Sequence, residues 1–442
     1  MKTPSLTCVY DIAAPTYNPS AMDHQHYVEE LGRNARRASR QLAELSGQTR
    51  IAALKRIAAA IRENRQKLID ANASDINAAV EQGLAAPLVE RLRLNDKRIT
   101  SMADAVDQIA AQVDPVGQII EGYVRPNGLR IQKVRVPIGV VLFIYESRPN
   151  VTSDAAALCL KSGNAIILRG GKEAFHSNRA IAAIVSESLA ASDIDPAAVQ
   201  LVESTDRALL TPLLKLERYI DLVIPRGGEG LIRAVVKEST IPVLKHYTGN
   251  CHVYIDRHVD GMEQQVRAIC VNAKTGYPGG AVCNAAEKLL FHRDIAERLL
   301  PLVCADLAAR GVEIRGDEAT RRLYPQAKPA DEQDWFTEYL ALIIAVKVVD
   351  SLEAAIEHIN HYGSHHTDAI ITSSLESSHR FVNGVDSGSV MVNASTRFSD
   401  GGEYGLGAEV GISTDKLHAR GPMGAADLTT YKWVVVGQGH VR

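Results

Sequence analysis

Two consecutive, doubly wound α/β units with a small β element beside them are what this sequence predicts. Three observations carry the reading. Apolar, strand-like runs alternate with helical segments in two separate series, one beginning near Ile138 and one near His252. Such alternation implies parallel strands joined by helical crossovers. The runs themselves, Ile138-Gly-Val-Val-Leu-Phe-Ile144 above all, are apolar throughout, as strands buried on both faces are. Finally, basic glycine-rich turns follow strands of the first series, at the sheet edge where ligands bind in such folds.

The elements follow in order. Residues 1–26 read as a flexible extension: Pro4, Pro15 and Pro19 interrupt them, no signal-peptide core is present, and Met22 is an alternative start. From Tyr27 to Gln112 the pattern is helical. Ile51, Leu54, Ile57 and Ile61 share one face, and Arg50, Lys55, Arg62 and Arg65 fall mostly elsewhere. Tyr123 to Val136 alternates polar and apolar residues around Pro126-Asn127-Gly128, which is a hairpin signal; its length lets it reach beyond its own domain. The first series then runs through strand Ile138–Ile144, helix Asp154–Lys161, strand Ala165–Leu168, helix Ser177–Ala191, strand Val199–Val202, helix Arg207–Leu216, strand Leu222–Ile224 and helix Gly230–Glu238. Val243-Leu244 is placed to start another strand. The second series has strand His252–Ile255, helix Met262–Asn272, strand Lys288–Phe291, helix Asp294–Arg310, strand Ala345–Val349, helix Leu352–Tyr362, and strands Ala369–Ile371 and Ser389–Val392. Tyr431–Val436 is a terminal strand with no partner after it, suited to pair with another element or another subunit.

Composition narrows the function. The 442 residues carry a net charge of −3, which excludes a bulk electrostatic nucleic-acid binder. No apolar run reaches membrane-spanning length. The 6 cysteines are widely spaced and form no CxxC pair, so reduced thiols and a cytoplasmic location are expected. Aromatic residues are 5% of the chain, so the core must rest on Ala, Val, Ile and Leu.

Cys283 sits in Tyr277-Pro-Gly-Gly-Ala-Val-Cys-Asn284, an irregular loop at a domain junction. A thiol there can be a nucleophile or a buried structural cysteine. Cys251 and His252 are neighbours on a strand and point to opposite faces, so core packing is the reading for Cys251. His358 to Asp368 is rich in histidine, and His361, His365 and His366 are candidate metal ligands; the intervening Tyr-Gly-Ser breaks helical spacing and favours a polar substrate-site turn, with no metal. Arg169-Gly170-Gly171-Lys172 and Arg226-Gly227-Gly228-Glu229-Gly230 are each ordinary turns taken alone; together at one sheet edge they suggest a nucleotide site.

Three stretches resemble the aldehyde dehydrogenase superfamily, and within it the branch that reduces L-glutamyl 5-phosphate in proline biosynthesis: Val136 to Val151 with Cys159 to Glu173, then Val282-Cys283-Asn284, then Glu357 to Asp368. The resemblance runs from about Tyr27 to the end and implies an aldehyde-dehydrogenase-like fold. Its domains would be 27–250 for NADP binding, with the hairpin 123–136 reaching out for oligomerisation, 251–395 for catalysis, and 396–442 as a return segment ending in an oligomerisation strand. It further implies Cys283 as the catalytic thiol, Asn150 as the oxyanion donor, Glu338 at the nicotinamide ribose, and Arg169, Gly170, Gly171, Lys172, Gly227 and Gly228 as cofactor-binding residues. Arg148, His365 and His366 would contact substrate. NADP(H) is the implied cofactor, since Lys172 stands where a ribose-reading glutamate is frequent. Lys245-His-Tyr-Thr248 occupies the region of the hydrolytic enzymes' general-base glutamate. The implied partners are a small-molecule substrate, the glutamate 5-kinase that supplies the acyl phosphate, and further copies of the chain, with no nucleic acid and no membrane. Another acyl-phosphate or acyl-thioester reductase, or a catalytically silent nucleotide-binding relative, are the competing readings.

Overall fold

The computed structural model describes residues 24–146 and 148–442; the expected extension lies almost wholly outside them, as does Met22. The first described helix, His24–Glu44, begins ahead of the boundary expected at Tyr27. Helices Gly47–Glu63, Arg65–Glu81, Ala86–Leu92 and Asp96–Ala111 follow. Leu54, Ile57 and Ile61 are buried as their spacing requires, each worth about 1.5–3 kcal/mol of transfer free energy. Arg50 is the exception on this helix. It is only 2% exposed, because its guanidinium reaches the Asp114 carboxylate at 2.7 Å and the Leu45 carbonyl at 2.6 Å.

These helices share one core with a four-stranded parallel sheet ordered Val199–Leu201, Ala165–Arg169, Val140–Tyr145, Leu222–Arg226. Val243 adds a single bridge to Val223 rather than a strand. The expected helix Arg207–Leu216 is a short 3₁₀ turn, Arg207–Leu209, followed by a single α turn, Leu210–Leu213, in which Pro212 has no N–H to give to the turn before it. Proline has no amide proton to continue a helical ladder.

The second unit is a seven-stranded parallel sheet. Its order is Lys328–Pro329, Glu313–Gly316, Ile343–Val349, Ala286–His292, Cys251–Ile255, Thr367–Ile371, Ser389–Val392. The first two of these strands have no counterpart in the sequence reading. They are 4 and 2 residues long at one end of the sheet, too short for a periodic pattern to show. Helices Glu263–Thr275 and Arg293–Ala308 share a core with this sheet, and helices Leu352–Tyr362 and Leu375–Gly384 form a second apolar cluster with Tyr254 and Leu290.

The hairpin and the terminal strand find each other. Ile119–Val124, Arg130–Pro137 and Thr429–Val436 form a three-stranded antiparallel sheet, with Thr429 opposite Pro137 and Val436 opposite Arg130. The terminal strand therefore has a partner within its own chain, and the open edges are the first and last strands of this sheet. Before reaching it, the chain runs back from the second unit to the first: Val410, Ala419, Met423 and Leu428 join the first core.

Candidate active site

The loop that carries Cys283 is set by its ends. Helix Glu263–Thr275 delivers Lys274, and strand Ala286–His292 delivers Glu287; the two side chains are fully buried and pair at 2.8 Å across the base of the loop. Burial lowers the lysine and raises the glutamic acid, and each partner opposes the shift of the other. Between them, Gly279 and Gly280 take positive φ of 72° and 66°, a turn that side-chain-bearing residues resist. Asn284 then anchors the far side, donating to the Ser399 carbonyl at 3.0 Å and accepting through its own carbonyl from Thr396 at 2.7 Å.

Cys283 is half-buried, whereas Cys159, Cys251, Cys270 and Cys304 are buried. Desolvation pushes those four thiols up, Cys304 to about 12. The backbone of Cys283 lies against Gly249 so closely that a Cβ there would stand 1.8 Å from the Cys283 carbonyl oxygen. The same carbonyl accepts from the Cys251 thiol at 3.2 Å. Cys251 thus faces the loop while His252 faces Asp368 at 3.1 Å, the opposite orientations expected of strand neighbours.

Two imidazoles complete the surroundings of the thiol. His246, Cys283 and His366 offer donor atoms that all lie within 4.8 Å of one another. His246 donates from Nδ1 to the Ile412 carbonyl at 2.8 Å, which leaves Nε2 as the acceptor of the neutral ring. Its neighbour Lys245 is tied to Asp415 at 2.6 Å, so the return segment holds this strip from two sides. His366 is 1% exposed and its edge meets the His246 ring at 5.5 Å. Desolvation lowers its pKa to about 4, so it is neutral. The sequence puts His246 in the strip where a general-base carboxylate is missing. What it could not show is that His246 and His366, 120 positions apart in the numbering, converge on one thiol.

The other expected residues divide. Arg148 is exposed, and close enough to Cys283 and Tyr277 to be pulled up by them; its packing and the like charge of Arg226 lower it by more. Asn150 opens helix Asn150–Lys161 and is exposed, but its amide donates to Asp154 at 2.9 Å. His365 turns away: at φ 60° it bonds the Asp386 carbonyl at 2.6 Å while the next residue points into the site. Glu338 accepts from the Gly249 N–H at 2.8 Å, and burial raises it to about 7. It therefore sits behind the same glycine that supports Cys283. His361 packs on Phe336 and Tyr362 and joins neither His365 nor His366.

The glycine turns differ in character. Gly170 is packed under Tyr145 and Asn178, where a Cβ would stand 2.3 Å from the asparagine amide. Gly227 and Gly228 are pinned by Glu146, which accepts from the Gly228 N–H at 3.0 Å. Gly171 precedes the short turn Lys172–Ala174. Lys172 lines a cavity of about 570 Å³ together with Glu173, His176, Glu203, Ser204 and Asp206, outside the carboxyl ends of strands Ala165–Arg169 and Val199–Leu201. Arg169 stands near Glu173 and Asp206, with its Nε buried and unpartnered. The cavity has the size and the placement of a cofactor pocket in a doubly wound sheet.

Comparison with known proteins gives the family. A family model described as the aldehyde dehydrogenase family matches residues 16–322. A gamma-glutamyl phosphate reductase from Caldanaerobacter subterraneus subsp. tengcongensis is 51% identical over 415 residues, covering 94% of this chain and 99% of that protein. The gamma-glutamyl phosphate reductase of Moorella thermoacetica is 50% identical, over 94% of this chain and 98% of that one. The crystal structure of gamma-glutamyl phosphate reductase from Thermotoga maritima aligns with a TM-score of 0.91 at 47% identity, covering 94% of this chain and 99% of that one. Fold and relatives together define an aldehyde-dehydrogenase-type oxidoreductase acting on an aldehyde or acyl phosphate, a class that uses nicotinamide cofactors. Within that class, the chain belongs to the gamma-glutamyl phosphate reductase family.

Proposed function

We propose that this chain reduces L-glutamyl 5-phosphate to L-glutamate 5-semialdehyde with NADPH, releasing phosphate, in proline biosynthesis. The observation that carries the proposal is the half-buried Cys283 thiol flanked by His246 and His366. His246 Nε2, free to accept, takes the thiol proton. The thiolate attacks the acyl carbonyl, the carbon–oxygen bond to phosphate breaks, and phosphate leaves with the electron pair. A cysteine thioester remains. The cofactor, when bound, supplies a hydride. The resulting oxyanion needs donors aimed at it: the Cys283 N–H and the Asn150 amide have that role, the latter after exchanging Asp154 for the oxyanion. Collapse then expels the thiolate and frees the aldehyde.

The cavity beside Lys172 is the proposed site of the adenosine ribose; Arg169, Gly170, Gly171, Gly227 and Gly228, on the turns that follow the strands of this sheet, are the other proposed cofactor residues, with Glu338 toward the nicotinamide end. A cation at Lys172 suits a 2′-phosphate, which favours NADP(H). Arg148 and His366 are the proposed substrate contacts, and His365 acts only through its neighbour. Residues 27–250 then serve the cofactor and 251–395 the chemistry. The acyl phosphate has to be delivered by a kinase, and the three-stranded sheet is the proposed oligomerisation element.

The reverse reaction tests the proposal. With NADP⁺ and glutamate 5-semialdehyde, NADPH should form only when inorganic phosphate is present, because no carboxylate stands in the Lys245–Thr248 strip and its His246 already holds the thiol proton, which leaves no base there to activate water against the thioester. Arsenate should substitute for phosphate. Rapid phosphate-independent NADPH formation would instead mark a hydrolytic dehydrogenase.

A further inference from the structure

We infer that His246, Cys283 and His366 form a zinc-binding site through which Zn²⁺ reversibly silences the enzyme. The inference rests on the reading of Cys283 as the nucleophile. One thiol and two imidazoles are a ligand set suited to Zn²⁺, which accepts sulfur and nitrogen donors in tetrahedral geometry and leaves a fourth position for water. Their donor atoms already lie within 4.8 Å of one another. Around zinc, with bonds of about 2.0–2.3 Å, such donors stand roughly 3.5 Å apart. The donors must therefore draw in by about an ångström. Cys283 can do so by turning its side chain about the Cα–Cβ bond while Gly249 holds its backbone, and His246 is half-buried rather than packed solid.

Two further observations point to a ligand. His366 is 1% exposed, and its Nε2 is buried without a hydrogen-bond partner. A buried imidazole nitrogen without a hydrogen-bond partner is costly unless something meets it. His246 has its Nδ1–H fixed on the Ile412 carbonyl, the arrangement that orients a metal-binding histidine by its other nitrogen. Binding exchanges the thiol proton for the sulfur–zinc bond and releases one proton per ion. Arg148, whose charge interacts with Cys283, opposes the ion. The site is therefore weaker than a structural zinc centre and responds to changes in free zinc. The Glu409 carboxylate interacts with His366 but is held by Arg226 at 3.2 Å and the Gly401 N–H at 2.9 Å, which leaves water as the fourth ligand.

The test uses the purified full chain and CoCl₂ or ZnCl₂ as the only added ligand, without substrate. Cobalt should bind one ion per chain with a sulfur-to-cobalt charge-transfer band and tetrahedral visible bands. Zinc should displace it, protect Cys283 from iodoacetamide, and do both reversibly on addition of EDTA. Cys283→Ala should remove the charge-transfer band. His246→Gln should weaken zinc by about tenfold or more, and His366→Gln likewise. His246 is the half-buried ligand, so if the His366 variant fails to fold the His246 variant still decides the matter. Cobalt binding without a thiolate band, or zinc affinity unchanged in His246→Gln, would overturn the inference. Turnover that survives in Cys283→Ala while the cobalt spectrum behaves as described would instead overturn the nucleophile and leave the metal site standing.

Discussion

Cys283 differs from the cysteines around it in what covers it. Cys159, Cys251, Cys270 and Cys304 lie on helices or strands of the cores, and burial suppresses their thiolates. Among these five, iodoacetamide should therefore label Cys283 first, as peptide mapping would read, and Cys283→Ala should lose turnover while keeping a native circular dichroism spectrum. Near-normal turnover in that variant would sink the mechanism. His366 supports a prediction of another kind. Burial lowers its pKa to about 4, against about 6.5 in an unfolded chain. Between those values the unfolded chain binds a proton that the folded chain refuses. Stability contributed at this site therefore rises as pH rises from 4 to 6.5 and is level above. The difference in unfolding free energy between the native chain and His366→Gln should grow across that window by up to about 3 kcal/mol. Urea denaturation at several pH values would show a flat difference if the assignment is wrong.

At the scale of elements, the loop that carries Cys283 is held by its flanks more than by its own contacts. Lys274 ends the helix before it and Glu287 opens the strand after it, and neither side chain is exposed. Removing one partner strands a buried charge, so Lys274→Met should cost about 3–5 kcal/mol. Lys274→Met combined with Glu287→Leu should recover much of that loss. Chemical denaturation of the three proteins reads the result, and equal damage in single and double variants would contradict it. The turn after strand Ala165–Arg169 has a different task. Lys172 faces the cavity while Gly170 only lets Tyr145 and Asn178 pack. Lys172→Glu should shift the ratio of kcat/KM for NADPH over NADH toward NADH by roughly 10–100-fold, the worth of one charged hydrogen bond replaced by repulsion. An unchanged ratio would remove Lys172 from the ribose site.

For the molecule as a whole, two parallel sheets organise the cores and the return segment ties them together beside Cys283. Ile412, Asp415 and Glu409 all belong to that segment, and they hold His246, Lys245 and Arg226. The terminal strand pairs with the hairpin, yet the small sheet keeps open edges bearing exposed Ile119, Val124, Tyr431, Trp433 and Val435. Unpaired edges with apolar side chains invite pairing with another chain. Light scattering at micromolar concentration should accordingly give a mass of at least twice that of one chain; a strictly monomeric mass would refute the role of this sheet. Among the described residues no helix is long and apolar enough to cross a membrane.

What the sequence determined by itself was local. Apolar runs located both parallel sheets, since burial on both faces leaves a continuous pattern, and helix Leu352–Tyr362 appears with the bounds its spacing predicts. Loop chemistry around Tyr277–Asn284 singled out Cys283. Convergence was decided only by tertiary structure. Whether His365 or His366 meets the thiol turns on one residue at positive φ. Arg50 is buried because Asp114, far along the chain, is there to pair with it. The short strands at Glu313 and Lys328 exist because a neighbour's edge offers hydrogen bonds. Spacing records what a residue does with its near neighbours; the partners that assemble His246, Cys283 and His366 are distant in the chain, and only the packing of two sheets and a returning tail brings them within reach.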